Sequence, residues 1–281
     1  MNAELVPIAR RLRIRARRDV TTSLTGAYRS AFRGQGLTFE ELREYAPGDD
    51  VRWIEWNATA RLGRPIAKRM REERDLVVAL LVDVSASLDV GAGEATKLDS
   101  VRRAAAALAW AAIASQDRVA LALFAGGLRK VLSPATGALQ RERVLHALDD
   151  LADDARTDAA RALDWAAEKL PRHSVVVLLS DLLFRDPGAA LRRCASKHDL
   201  VALCVRDVGD APPAGLPPVR VRGAEDRRAR VWRASRTPRT APPLREATLR
   251  ALGADYGELW TGPRLLPSLL RFFSERARRR A

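Results

Sequence analysis

Residues 76–87 read Leu76-Val77-Val78-Ala79-Leu80-Leu81-Val82-Asp83-Val84-Ser85-Ala86-Ser87. Seven apolar residues in succession, three of them valine, have the length and composition of a strand buried on both faces, as in a parallel sheet. The run stops at Asp83, and two serines follow at alternate positions. A second run, Ser174-Val175-Val176-Val177-Leu178-Leu179, stops in a similar way at Ser180-Asp181. If both strands lie centrally in one parallel sheet, their carboxyl ends bring Asp83, Ser85, Ser87 and Asp181 together. Open α/β sheets bind ligands at that end. A third piece, Thr157-Asp158, stands between the two runs at the start of a helix. The donors gathered in this way are carboxylates and hydroxyls, without thiol or imidazole. Hard oxygen donors suit Mg²⁺, Mn²⁺ or Ca²⁺ rather than Zn²⁺ or copper. The plainer alternative is that Ser85 and Ser87 cap a helix and Asp181 ends a strand.

Outward from Leu76, strand and helix alternate. A helix from about Asp99 to Ser115 places Leu98, Val101, Ala105, Leu108 and Ala112 on one face. Arg118–Phe124 reads as a strand with Leu128–Leu132 antiparallel beside it. Helices follow at about Ala138–Leu151 and Asp158–Leu170. After the Ser174–Leu179 strand come a helix near Pro187–Lys197, a strand Leu200–Val205, a helix Leu244–Leu252 and a strand Tyr256–Trp260. Leu266, Leu269, Leu270 and Phe273 stripe a final helix. The pattern predicts an α/β fold: a doubly wound, mostly parallel sheet with right-handed crossovers, the site lying beside the first strand where strand order reverses. The expected boundaries are a small β-containing module over residues 1–74 and the sheet domain over 75–281, with 206–241 as an irregular insertion. Pro212, Pro213, Pro217 and Pro218 break any helix in that insertion, and Val231-Trp232-Arg233 reads as a short strand. In the first module, residues 4–18 read as a basic helix, Pro47-Gly48 as a type II turn, and Val51–Trp56 and Pro65–Met70 as strands.

With 47% hydrophobic residues, the 281-residue chain has ample material for a core. No apolar run approaches the length of a membrane span, and Met1–Arg18 carries no apolar signal core, so a soluble cytoplasmic protein is expected. Cys194 and Cys204 read as two buried reduced thiols rather than a disulfide. The net charge is +14, and all but five of the 49 basic residues are arginine. Arg10, Arg11, Arg13, Arg15, Arg17 and Arg18 crowd one terminus, and Arg276, Arg278, Arg279 and Arg280 crowd the other. Such clusters attract nucleic acid, anionic lipid or an acidic protein, or else are solvated, partly disordered ends. The second reading is preferred here.

Asp83, Ser85, Ser87, Thr157 and Asp181 resemble the five positions of the metal-ion-dependent adhesion site of von Willebrand factor A domains, which uses Asp-x-Ser-x-Ser, a Thr and an Asp from three loops. The preceding segment adds a second resemblance. It reads Phe32-Arg33-Gly34-Gln35-Gly36, Phe39-Glu40-Glu41-Leu42-Arg43-Glu44-Tyr45, Pro47-Gly48-Asp49-Asp50-Val51-Arg52-Trp53-Ile54-Glu55-Trp56, Ala60-Arg61 and Glu72-Glu73-Arg74. It resembles the bacterial family called domain of unknown function 58, over roughly residues 23–206. Glu55 stands where that family usually has Asp. The resemblance implies a von Willebrand factor A-like domain, Mg²⁺ or Mn²⁺ as cofactor, and partnership with a MoxR-type AAA+ ATPase or its client in chaperone-like assembly, as adaptor or substrate-recruiting subunit. It implies no established reaction. The charged residues Arg43, Glu44, Asp49, Asp50, Arg52, Glu55 and Arg61 are expected to form a buried or half-buried ion network under Trp53 and Trp56, structural in role, the alternative being an interaction surface.

Three functions compete at this point. In a metal-dependent protein-binding module Ser85, Ser87 and Thr157 are neutral ligands, Asp83 and Asp181 bind through water, and an open coordination position takes a partner's acidic residue. A metal-dependent hydrolase would need a nucleophile with a base. The sequence has neither a Gly-x-Ser-x-Gly elbow nor a Gly-Lys-Ser/Thr phosphate loop. Binding of nucleic acid through arginine would come with a recognised motif or with aromatics, and aromatics make up only 5% of the chain. The first reading is adopted, with no catalytic residues assigned.

Overall fold

A computed structural model describes residues 22–32, 37–72, 76–93, 95–149, 157–210, 219–222, 229–232 and 244–280. The expectations for residues 4–18, the amino-terminal arginines and Pro212–Pro218 fall outside these. In chain order the elements are α1 (Thr22–Phe32), β1 (Leu37–Glu44), α2 (Trp56–Leu62), β2 (Ile66–Glu72), β3 (Val77–Asp83), α3 (Lys97–Ala114), β4 (Arg118–Phe124), β5 (Leu128–Ala135) and α4 (Gly137–Ala147). They continue as α5 (Ala160–Lys169), β6 (Val175–Ser180), α6 (Ala189–Lys197), β7 (Asp199–Arg206), β8 (Val219–Arg222), β9 (Ala229–Trp232), α7 (Glu246–Ala251), β10 (Asp255–Trp260) and α8 (Leu265–Arg280).

All seven residues of β3 and all six of β6 are buried. Their apolar runs are unbroken because helices cover both faces of the sheet. Alternate side chains point to opposite faces, and the core divides accordingly. Val78, Leu80, Val82, Val177 and Leu179 join a cluster containing α3, α1 and α8. Val77, Ala79, Leu81, Val176 and Leu178 join another containing α5 and α6. The strand order is β10-β7-β6-β3-β4-β5. All neighbours run parallel except β5, which pairs antiparallel with β4 at the edge. This is the expected doubly wound sheet of von Willebrand factor A type. The buried alanines of α3, among them Ala104–Ala107, Ala111 and Ala112, let it lie close against the sheet. Thr96 and Asp99 close its start with a reciprocal capping box.

Near the amino terminus, β1 and β2 form a small antiparallel sheet. Gly48, at φ 104°, takes the left-handed position of a turn closed by a 3.0 Å hydrogen bond from Asp49 N–H to the Ala46 carbonyl. The expected strand at Val51–Trp56 is a correction. The Asp50 carboxylate accepts the Arg52 N–H and starts a 3-10 turn over Val51–Trp53; Ile54 makes one bridge to Ala67, and α2 begins at Trp56. The expected ion network also divides into separate pairs. Arg43–Asp49 closes at 2.5 Å and Arg52–Asp50 at 2.7 Å, while Arg64 meets Glu44 and Lys68 meets Glu55. Trp56 is 69% exposed.

Residues 22–32 belong to the stretch assigned to the first module, yet α1 packs into the core of the sheet unit. Tyr28 and Phe32 each meet the Phe273 ring edge to face and pack tilted against one another, and the Tyr28 hydroxyl donates to Asp117 at 2.7 Å. Arg276 corrects the picture of a solvated terminus: it is 0% exposed. Its guanidinium lies 4.6 Å from the Phe32 ring centre, donates to the Ala31 carbonyl and pairs with Asp199 and Asp255. Arg279 pairs with Asp255 and Arg280 with Asp199. Of the segment 206–241, the described residues include a 3-10 turn at Val208–Asp210 and the antiparallel hairpin β8–β9. Cys194 and Cys204 are buried free thiols.

Candidate metal centre

β3 and β6 are parallel neighbours with Val82 opposite Leu179, so they end at one level. The chain then departs to opposite sides, with β4 flanking β3 on one side and β6 on the other. That divergence leaves a crevice beyond the strand ends. Asp83, the last residue of β3, is 0% exposed. Its Oδ1 accepts the Ser85 N–H at 2.9 Å, and its Oδ2 accepts the Ser180 hydroxyl at 2.6 Å. The 3-10 turn Ala86–Leu88 brings the Ser87 hydroxyl to 2.9 Å from that of Ser85. Thr157, in the loop before α5, donates to Ser85 Oγ at 2.8 Å. The end of β4 secures that loop through a 2.6 Å bond from Asp158 N–H to the Ala125 carbonyl.

Asp181 follows β6. Its Oδ1 accepts the Leu183 N–H at 3.1 Å, and its Oδ2 lies 3.6 Å from the Lys97 ammonium. Leu182, between them, is held at φ 57°, a left-handed conformation that a leucine keeps only where its surroundings enforce it. Its N–H donates to Ser180 Oγ at 3.0 Å and its side chain is buried, so the turn that aims Asp181 is fixed from both sides. Asp83, Ser85, Ser87 and Thr157 thus form one hydrogen-bonded chain, with Asp181 next to it on the neighbouring loop.

The sequence reading missed four polar contributors. Ser180 orients Asp83. Lys97, 3% exposed, bridges Asp181 to Asp210, whose Oδ1 it meets at 2.5 Å. Asp207 ties three loops together: it accepts the Ala92 and Gly209 N–H groups on Oδ1 and the Thr261 hydroxyl on Oδ2. Two of the four carried a signal: Ser180 stands directly before Asp181, and Lys97 is one of five lysines in an arginine-rich chain.

Burial pushes the Asp83 carboxyl up to about 7, against the hydrogen bonds from Ser180 and Ser85, and Asp181 pushes it further. Burial also raises Asp181, opposed by Lys97 and the Leu183 N–H. Asp207 is buried too, but the Thr261 hydroxyl and the two backbone N–H groups hold it below its ordinary value. The contrast is informative. Among the described residues, the hydrogen-bond partners of Asp83 are neutral, and a buried carboxylate without a cation is costly. A hard divalent ion supplies that charge and prefers the hydroxyl and carboxylate oxygens assembled here. The donor set therefore fits Mg²⁺ or Mn²⁺, with Asp83, Ser85, Ser87, Thr157 and Asp181 as the residues to hold it. No group of three or more His, Cys, Asp or Glu that could hold a metal ion occurs among the described residues, so any ion here depends on the hydroxyls as well.

The family described as "Protein of unknown function DUF58" matches residues 41–241. This chain belongs to that family. The DUF58 match begins within β1 and runs past the metal-centre loops, so the small antiparallel sheet and the site lie in one family unit. Over its whole length the chain is similar to an uncharacterized protein of Mycobacterium tuberculosis (strain H37Rv), Rv1480. The two are 29% identical over 297 residues, covering 98% of this chain and 90% of the relative. Among solved structures, it is similar to the conserved hypothetical protein BatB from Bacteroides thetaiotaomicron, with 19% identity and a TM-score of 0.47, covering 72% of this chain and 99% of that one. It is also similar to a von Willebrand factor type A structure from Catenulispora acidiphila, with 14% identity and a TM-score of 0.42, covering 75% of this chain and 43% of that one. Among the described residues, no helix of this DUF58 member is long and apolar enough to cross a membrane.

Proposed function

We propose that this DUF58 chain is a metal-dependent protein-interaction module: Mg²⁺ or Mn²⁺ bound at Asp83, Ser85, Ser87, Thr157 and Asp181 is completed by an acidic residue of a partner protein. The observation that carries this reading is the fully buried Asp83 at the convergence of three loops, hydrogen-bonded to neutral partners within a chain of hydroxyls. The hydroxyl ligands Ser85, Ser87 and Thr157 do nothing to neutralise the ion, and a carboxylate from outside can fill its open position. The rim supports docking as well. Val90, Leu183 and Val208 are 47%, 49% and 57% exposed on the loops after β3, β6 and β7. An apolar rim around a charged centre excludes water from it on binding and strengthens the central contact.

Hydrolysis is less well supported. The nearby thiol, Cys204, donates to the Asp181 carbonyl at 3.4 Å, and burial pushes it up to about 11, too high to supply a thiolate. His173 and His198 stand before β6 and β7, at the opposite end of the sheet from the site. From the family resemblance, the proposed partner is a MoxR-type AAA+ ATPase or its client, with this chain as adaptor or substrate-recruiting subunit. The test is a pull-down with the purified chain as bait, with Mg²⁺ and with EDTA, repeated with Thr157→Ala. The reading expects a specific partner in Mg²⁺ that both EDTA and Thr157→Ala remove. Capture that ignores EDTA and disappears at higher salt would refute it in favour of a basic-surface contact.

A further inference from the structure

Lys97 is the first residue of α3, directly after the cap Thr96. Its backbone N–H donates to the Val90 carbonyl at 2.9 Å, which fixes the loop after β3. Its side chain runs inward, 3% exposed, and places the ammonium 2.5 Å from Asp210 Oδ1 and 3.6 Å from Asp181 Oδ2. One compact charge therefore serves the loops after β6 and β7 together. Asp210 is held in turn by the Asp207 N–H at 3.0 Å on its other oxygen. Elsewhere the chain uses arginine almost throughout. A lysine here gives a point charge without the planar fork that would need more space.

We propose that Lys97 is the resident cation on the Asp181 side of the centre: it competes with a divalent ion for Asp181, limits how tightly that ion binds, and couples the centre to the Asp207–Asp210 loop. The proposal rests on the metal reading above. Among the described residues the hydrogen-bond partners of Asp83 are neutral, whereas Asp181 already faces an ammonium. An ion bound beside Asp181 is therefore repelled by Lys97, and this repulsion is strong because the surroundings are buried. Lys97 is a positioning and specificity-setting residue, and its removal has the opposite effect from ordinary damage to the site.

The test is calorimetric titration of the EDTA-treated full chain with Mg²⁺ at fixed pH, with thermal unfolding in the absence of metal as the check of folding. Lys97→Met should bind Mg²⁺ about ten-fold tighter or more than wild type, because it removes the competing charge. Asp210→Asn should bind it several-fold more weakly, because the ammonium then has only Asp181 to answer. Opposite signs support the proposal. Weakening in both, or no change in Lys97→Met, overturns it. Should Lys97→Met not fold, Asp210→Asn decides alone: weaker binding supports the proposal, while equal or tighter binding overturns it. If wild type takes up Mg²⁺ and Lys97→Met binds no tighter, only this inference fails. If neither takes up Mg²⁺, the metal reading fails and this inference with it. If only Lys97→Met binds, competition by the lysine is supported and the metal reading of the native chain fails.

Discussion

Replacing Asp83 with Asn tests the buried carboxylate directly. Burial raises its folded-state value from 3.8 to about 7. In the metal-free protein the folded state therefore keeps a proton that the unfolded chain releases as pH climbs from about 4 to about 7. The folded state binds more protons across this window, so this residue makes stability fall as pH rises through it. The full shift corresponds to about 4 kcal/mol by pH 8, of which roughly 2.5 kcal/mol accrues between pH 5 and pH 8. Asp83→Asn does not titrate and lacks this decline, although it loses one acceptor and starts lower at acid pH. The assay is urea unfolding of EDTA-treated wild type and Asp83→Asn at a series of pH values, followed by tryptophan fluorescence. The stability difference between wild type and variant should shrink, or reverse, by a few kcal/mol from pH 5 to pH 8. Added Mg²⁺ should restore wild type at pH 8 and do little at pH 5, where the ion must displace a proton. Parallel pH profiles for the two proteins would refute the argument.

Other substitutions test the packing. Arg276→Met leaves Asp199 and Asp255 without their buried partner and should cost about 3–5 kcal/mol, read as a drop in the urea midpoint; a loss below 1 kcal/mol would return the carboxyl-terminal arginines to the solvent. Gly257→Ala directs a methyl group into the Phe272 ring, where α8 crosses β10, and should cost about 1–3 kcal/mol by the same assay. Trp56→Ala, at a site 69% exposed, should change stability by less than about 0.5 kcal/mol, and a larger loss would show that α2 is packed more tightly than its exposure indicates.

The central strands were legible because a run such as Leu76–Val82 is long, branched and uninterrupted, and few structures other than a two-sided sheet accommodate it. The convergence of the candidate residues was legible because three oxygen-bearing pieces each adjoin a strand or helix start that sheet topology brings to one end. Val51–Trp56 failed as a strand because a few alternating residues cannot outweigh a single cap: the Asp50 side chain takes the Arg52 N–H and the backbone turns there. The carboxyl-terminal arginines failed for another reason. Charge counting treats them alike, whereas helical spacing places Arg276 on the face of Leu269, Phe272 and Phe273. Reading the stripe one turn further would have found it. Lys97 and Asp210 meet across more than a hundred residues, and no local pattern carries such a contact.

The most direct measurement is the uptake of Mg²⁺ by the EDTA-treated chain, by calorimetric titration beside Asp83→Ala at pH 8. One ion bound per chain in wild type, and none in a folded Asp83→Ala variant, is the predicted result. Wild-type protein that takes up no Mg²⁺, or a variant that binds it as wild type does, would contradict the account and leave the serines and Asp181 as loop caps.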